Sequence, residues 1–196
     1  MFCSTGKASS KEILALASST RFDKEHILEL NKQFLSVSTK GKFQISNFTA
    51  IFQKFYVNGD PTALAHHVLK ILDTDNDGVL NFTEFLENLD ILYNGSVEER
   101  IKWFFKMFDV DNDGVIVRND IFDLMLKVEL AITDVRSHNN EMKVRLNEKV
   151  DLIYSELIKP MATPVNQLNI QQFVSSITCN NELMHNFRCA TMFMFL

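Results

Sequence analysis

The chain has 196 residues, 46% of them hydrophobic and 23% charged, with a formal net charge of −5; it is long enough for two small cores and too acidic to suit nucleic acid as a partner. No run of about 18 apolar residues marks a membrane span, and the start lacks the apolar stretch of a secretory signal. Three scattered cysteines, Cys3, Cys179 and Cys189, favour reduced thiols in the cytoplasm over a disulfide framework.

In chain order, the first punctuated element is SVSTKGKFQISNF, Ser36 to Phe48, with Gly41 in its middle and Phe43 two residues on. By itself it is a polar turn. The next element gives it meaning. Ala65, Val68, Leu69 and Leu72 recur at helical spacing, and the helix they predict runs into DTDNDGVLNFTE, Asp73 to Glu84. Packing Asp73, Asp75 and Asp77 together with Glu84 close by is repulsive unless a cation sits among them. Carboxylates are hard ligands suited to Ca²⁺ or Mg²⁺, and no His or Cys stands in the stretch to argue for zinc.

The spacing matches a twelve-residue EF-hand loop, in which positions 1, 3, 5, 7, 9 and 12 surround the ion. Here these are Asp73, Asp75, Asp77, the Val79 carbonyl, Asn81 and Glu84. Gly78 supplies the sharp turn at position 6, and Leu80 at position 8 is placed to pair with a sister loop in a short β-bridge. A solvated Asp/Asn/Gly turn explains one DxDG but not a full set of positions between two amphipathic helices. A phosphoryl-accepting aspartate would need a buried strand ahead of it, and a helix is predicted there.

The pattern then repeats. Ile101, Phe104, Phe105 and Phe108 lead into DVDNDGVIVRND, Asp109 to Asp120. Phe85 and Leu89 beyond the first acidic loop correspond to Ile121 and Met125 beyond the second. In this loop Asp109, Asp111, Asp113 and the Val115 carbonyl fill their positions, whereas position 9 is Val117 and position 12 is Asp120. Aspartate is one methylene shorter than glutamate and gives one oxygen more readily than two, which lowers the coordination number toward the six that Mg²⁺ favours. Weaker Ca²⁺ binding, or Mg²⁺ at rest, is expected at this site.

EF-hands pair, so two more frames are expected. Upstream, Gly41, Phe43 and Asn47 take positions 6, 8 and 12, but Ser36, Ser38 and Lys40 replace the acidic ligands. Downstream, VNQLNIQQF aligns Asn166, Leu168 and Gln172 with those positions, leaving Met161, Thr163 and Val165 at 1, 3 and 5, with extra residues between Ala131 and Asn147. Both frames are expected to be metal-free. The adjacent pair His66-His67 reads as ordinary helix, its side chains facing different ways.

GDP at Gly59 to Pro61, the stretch GSVEERIKWFFKMFDVDNDG, TRF at Thr20 to Phe22 and HILELNKQFL from His26 to Leu35 together resemble the neuronal calcium sensor (recoverin-like) family over roughly Thr20 to Arg188. The resemblance implies an all-α fold of two lobes, each a pair of EF-hands with short β-bridges between loops. Residues 1–20 would form an N-terminal segment, 21–94 the first lobe, 95–180 the second and 181–196 an apolar tail. It also implies that Ca²⁺ opens a groove for an amphipathic helix of a target protein, with Phe34, Phe48, Phe52, Phe85 and Leu89 as first-lobe liners. Departures are specific: Phe2 stands where the family has an acceptor glycine, so the myristoyl switch is expected to be absent and membrane contact is left open. Leu30 replaces a common tryptophan, and Ser38-Thr39 replaces Cys-Pro.

Seventeen phenylalanines and eight methionines form a large apolar store, read first as core. The tail NELMHNFRCATMFMFL is expected to dock on the protein's own groove, because a free apolar terminus invites aggregation. Three functional classes stay open: a calcium sensor, a calcium buffer, and a constitutive regulatory subunit in the manner of calcineurin B. No paired nucleophile and base, phosphate loop or redox motif points to an enzyme.

Overall fold

The computed structural model describes residues 9–134, 139–161, 165–180 and 183–184. Two compact units appear: residues 1–57 with 61–96, and residues 58–60 with 97–196. Among the described residues the fold is all-α apart from two short antiparallel strand pairs, and no helix is long and apolar enough to cross a membrane.

The first unit contains α1 (Ser10–Ser19), α2 (Lys24–Val37), β1 (Lys42–Gln44), α3 (Ile45–Phe55), α4 (Thr62–Leu72), β2 (Val79–Asn81) and α5 (Phe82–Asn94). α1 lies inside the segment that sequence reading set apart as residues 1–20. Its start is a capping box: the Glu12 N–H donates to Ser9 Oγ at 3.2 Å, and the Ser9 N–H donates to Glu12 Oε2 at 2.6 Å. That satisfies two orphan donors, and Ile13 and Leu16 then enter the core with Ile27, Phe34, Leu69, Leu80 and Leu86. α1 is therefore part of the lobe rather than an appendage to it.

β1 and β2 pair with Phe43 opposite Leu80, the two position-8 residues, and both are buried. The second unit repeats this arrangement with α6 (Val97–Phe108), β3 (Val115–Ile116), α7 (Arg118–Ile132), α8 (Asn140–Ile158), β4 (Leu168–Asn169) and α9 (Ile170–Cys179). Here Ile116 sits opposite Leu168, and neither is exposed to solvent. Their core continues through Ile101, Phe105, Ile121, Val150 and Phe173. The stretch expected to hold extra linker between Ala131 and Asn147 is largely helical, since α7 runs to Ile132 and α8 begins at Asn140. Its added length resides in α8, which has 19 residues against 12 in α6.

A buried carboxylate fixes the far end of α5. Asp90 accepts from the Arg21 backbone N–H and from the Arg21 guanidinium, each at 2.9 Å, and from Asn94 Nδ2 at 3.0 Å. The TRF segment thus anchors α5 to the α1–α2 corner. Arg21→Ala is expected to lower the stability of this unit by about 1.5–3 kcal/mol, the range for a hydrogen bond to a charged group. Urea unfolding, read as a fall in midpoint at constant slope, checks it.

Candidate metal centres

Each acidic loop begins where an entering helix ends. The Asp73 N–H donates to Leu69 O at 2.8 Å, and the Asp109 N–H to Phe105 O at 2.9 Å. Both carboxylates are buried at the negative end of a helix dipole, a place that disfavours an anion unless a cation is near. Neither loop, however, leaves these oxygens bare. Asp73 Oδ1 accepts from the Asp77 N–H at 3.2 Å and Oδ2 from the Gly78 N–H at 2.8 Å. The same bonds recur from Asp113 and Gly114 to Asp109, each at 3.0 Å. They require the chain to turn back sharply, which it does with positive φ at Asn76 and Gly78 (57° and 81°) and at Asn112 and Gly114 (64° and 86°).

The far end of each loop is also the start of an exiting helix. Position 9 is the N-cap and position 12 the third helical residue in all four frames: Gln44 with Asn47, Asn81 with Glu84, Val117 with Asp120, Asn169 with Gln172. Where the ligands are gone, the caps remain. Asn47 Oδ1 accepts from the Gln44 N–H at 3.3 Å and Gln172 Oε1 from the Asn169 N–H at 2.9 Å. A side chain at position 12 thus has a structural task independent of metal.

Glu84 combines this capping bond with an oxygen turned into the loop. Oε2 accepts from the Asn81 N–H at 3.0 Å, while Oε1 faces the loop and accepts from the Thr74 N–H at 2.9 Å, Thr74 Oγ1 at 3.1 Å and the Asp75 N–H at 3.3 Å. Asp73, Asp75 and Glu84 each offer an oxygen within 4.8 Å of the others. In the second acidic loop the converging group is Asp109, Asp111 and Asp113. Asp120 is not in it; its Oδ2 is held by the Val117 N–H at 2.8 Å. Burial raises the Asp120 carboxyl above its ordinary pKa, the Val117 N–H pulls it down, and Asp111, Asp113 and Asp109 add to the rise.

Oxygen donors alone, clustered and acidic, fit a hard divalent cation. Val79 and Val115, expected to give carbonyls, lie on β2 and β3, and their N–H groups donate to Asp77 Oδ1 and Asp113 Oδ1, each at 3.0 Å. Asn81 Oδ1 is engaged as the N-cap by the Glu84 N–H at 3.1 Å.

The first frame differs most. Thr39 and Lys42 exchange backbone hydrogen bonds of 3.1 and 3.2 Å across Lys40 and Gly41, whose φ values of 54° and 75° match a type I′ turn. This loop closes on itself through backbone bonds. Of the fourth frame, Met161 and Val165 are described, and Thr163 lies outside the described residues, as do Cys3, Cys189 and the tail beyond Met184.

The five residues expected to line a groove are placed unequally. Phe34 is core, only 3% exposed, with ring centroids 4.9 Å from Phe43, 5.5 Å from Phe82 and 5.2 Å from Phe85. Phe48, Phe52, Phe85 and Leu89 are half-buried. Phe48, Phe52 and Tyr56 stack in sequence at 5.1 and 5.8 Å, along a helix α3 that buries no residue completely. Sequence reasoning missed Arg21, Thr74 and Lys42 around this lobe. Their signals were the basic residue ahead of α2, a hydroxyl between two ligands, and a lysine in the frame that had lost its carboxylates.

The profile of an EF-hand domain pair matches residues 64–92, and an EF-hand profile matches 101–116. Human recoverin is 32% identical over 127 residues, a match spanning 64% of this chain and 64% of recoverin. S-modulin of Aquarana catesbeiana is 32% identical over 179 residues, covering 90% of this chain and 87% of that protein.

Proposed function

This chain belongs to the recoverin-like neuronal calcium sensor family, and from that premise we propose that its second and third EF-hands bind Ca²⁺ and through it control an apolar surface that takes an amphipathic helix of a target protein. One observation carries the reading: Glu84, which closes the second loop, stands in the first turn of α5, and α5 also bears Phe85 and Leu89. The position of the loop's last ligand and the position of that apolar face are therefore set by one rigid element. Bound Ca²⁺ would supply the positive charge that offsets repulsion among the carboxylates. Asp73, Asp75, Asp77, Asn81, Glu84 and the Val79 carbonyl would hold it in the second loop; Asp109, Asp111, Asp113, Asp120 and the Val115 carbonyl would do so in the third. With Asp120 short and held by Val117, the third site would bind Ca²⁺ more weakly or hold Mg²⁺ at rest.

A calorimetric Ca²⁺ titration in Mg²⁺-containing buffer tests the proposal, with Trp103 fluorescence followed alongside. Trp103 is buried on α6, edge-on to Phe104 at 5.4 Å, and reports the second unit. One or two sites with Kd of roughly 10⁻⁷ to 10⁻⁵ M are expected; no heat and no fluorescence change would sink the reading.

The exposure of α3 favours a second reading. Phe55 is 67% exposed and the Phe48–Phe52–Tyr56 stack is half open, so a partner helix finds apolar surface there without further opening, as a constitutive regulatory subunit requires. Equal affinity for an amphipathic helix with Ca²⁺ and with chelator would select this reading over the sensor.

A further inference from the structure

The two lobes offer an internal comparison that separates the contribution of one lysine. In the second acidic loop the position-5 carboxylate, Asp113, converges with Asp109 and Asp111. In the first, the converging group is Asp73, Asp75 and Glu84. The position-5 carboxylate there, Asp77, directs Oδ2 to Lys42 Nζ at 3.2 Å. Lys42 sits at position 7 of the loop that lost its ligands, in β1, with its backbone opposite Asn81. The corresponding residue of the fourth loop is Gln167, which carries no charge.

We propose that Lys42 is a tethered cation that competes with a divalent ion for Asp77 and so sets the Ca²⁺ affinity of the second EF-hand. The inference rests on the reading that this loop binds Ca²⁺. Three features support it. The ammonium reaches the one ligand carboxylate that stands apart from the converging group. It is delivered by the β1–β2 pairing, so its reach is fixed by strand register rather than by a floppy loop. And Asp77 Oδ1 is already taken by the Val79 N–H at 3.0 Å, leaving Oδ2 as the oxygen with the weaker claim on it. Occupying the site then requires Asp77 to exchange an ammonium for the ion, and the cost of breaking that pair lowers affinity.

Both partners are partly exposed, 46% for Lys42 and 39% for Asp77, so the effect is modest and sensitive to salt. Lys42→Gln, made in an Asp109→Ala background so that only the second loop titrates, is expected to tighten Ca²⁺ binding about two- to fivefold at low ionic strength. That gain should shrink as salt rises. Lys40→Gln removes the same charge from the same loop, and Lys40 makes no ion pair among the described residues; it controls for the general field and should change affinity less. As a readout independent of affinity, reductive methylation in chelator should modify Lys42 more slowly than Lys40, with Ca²⁺ narrowing the difference. A parent that binds no Ca²⁺ overturns the calcium reading and this inference with it. A parent that binds Ca²⁺ while Lys42→Gln matches Lys40→Gln overturns the inference alone.

Discussion

Glu84→Gln is expected to weaken Ca²⁺ binding at the second EF-hand by at least about 100-fold, roughly 3 kcal/mol, while leaving the fold intact. The two effects separate because Glu84 has two tasks. As a ligand it would provide the charge and the pair of oxygens that close the shell, whereas an amide supplies one neutral oxygen. As capping residue it bonds back to the Asn81 N–H, a role that glutamine fills equally well and that Gln172 already fills at the start of α9. In calcium-free buffer the two proteins should differ little, since neutralising one of the carboxylates crowded within 4.8 Å offsets the loss of the oxygen that accepts from Thr74 and Asp75. In saturating Ca²⁺ the gap should open: at a ligand concentration about 100 times Kd the parent gains about 2.7 kcal/mol by linkage and the variant gains almost nothing. Thermal unfolding of both proteins with Ca²⁺ and with chelator reads all four states. Unchanged Ca²⁺-dependent stabilisation in the variant would remove Glu84 from the site. Asp109→Ala, its counterpart in the third loop, should cost less if that site is the weaker one.

Phe34→Ala is expected to destabilise the first unit by about 3–5 kcal/mol, the range for truncating a buried aromatic ring. The ring sits against Phe43, Phe82 and Phe85, so its removal opens a void where α2, the β1–β2 pair and α5 meet. Phe55→Ala should stay within about 0.5 kcal/mol, because 67% of that residue faces solvent. Urea unfolding of the two variants distinguishes a core residue from a surface residue directly. If Phe34→Ala left the midpoint unchanged and only weakened a bound helix, Phe34 would serve the groove and not the core.

The loops were the most legible part of the sequence because their chemistry is local. Three aspartates on alternate residues followed by glycine dictate a turn with positive φ, and the structure has it at Gly78 and Gly114. The pairing of Phe43 with Leu80 and of Ile116 with Leu168 was equally readable, since apolar residues at one loop position must be buried against something. The degenerate frames were recognisable for a related reason: they kept their caps and their β-residue while losing their carboxylates. What stayed hidden depends on contacts distant in sequence. Nothing near Phe34 reveals that three rings close over it, and its periodicity suits a groove as well as a core. Asp77 looks like any other ligand until the strand register brings Lys42 alongside. α1 is a different case: its S-x-x-E signal, Ser9 to Glu12, is short and lies upstream of Thr20, where the resemblance to the family begins.

The Thr39–Lys42 turn bears on how the first lobe responds in time and concentration. One of its two loops is closed by its own backbone, and its strand pairs with β2. On the proposed reading a single loop titrates within that lobe. With no second ion to reinforce the first, its occupancy would then follow a one-site curve that spreads over roughly two decades of concentration. Such a lobe would behave as a dimmer rather than a toggle, and a steep threshold would have to arise in the second unit or on binding a partner.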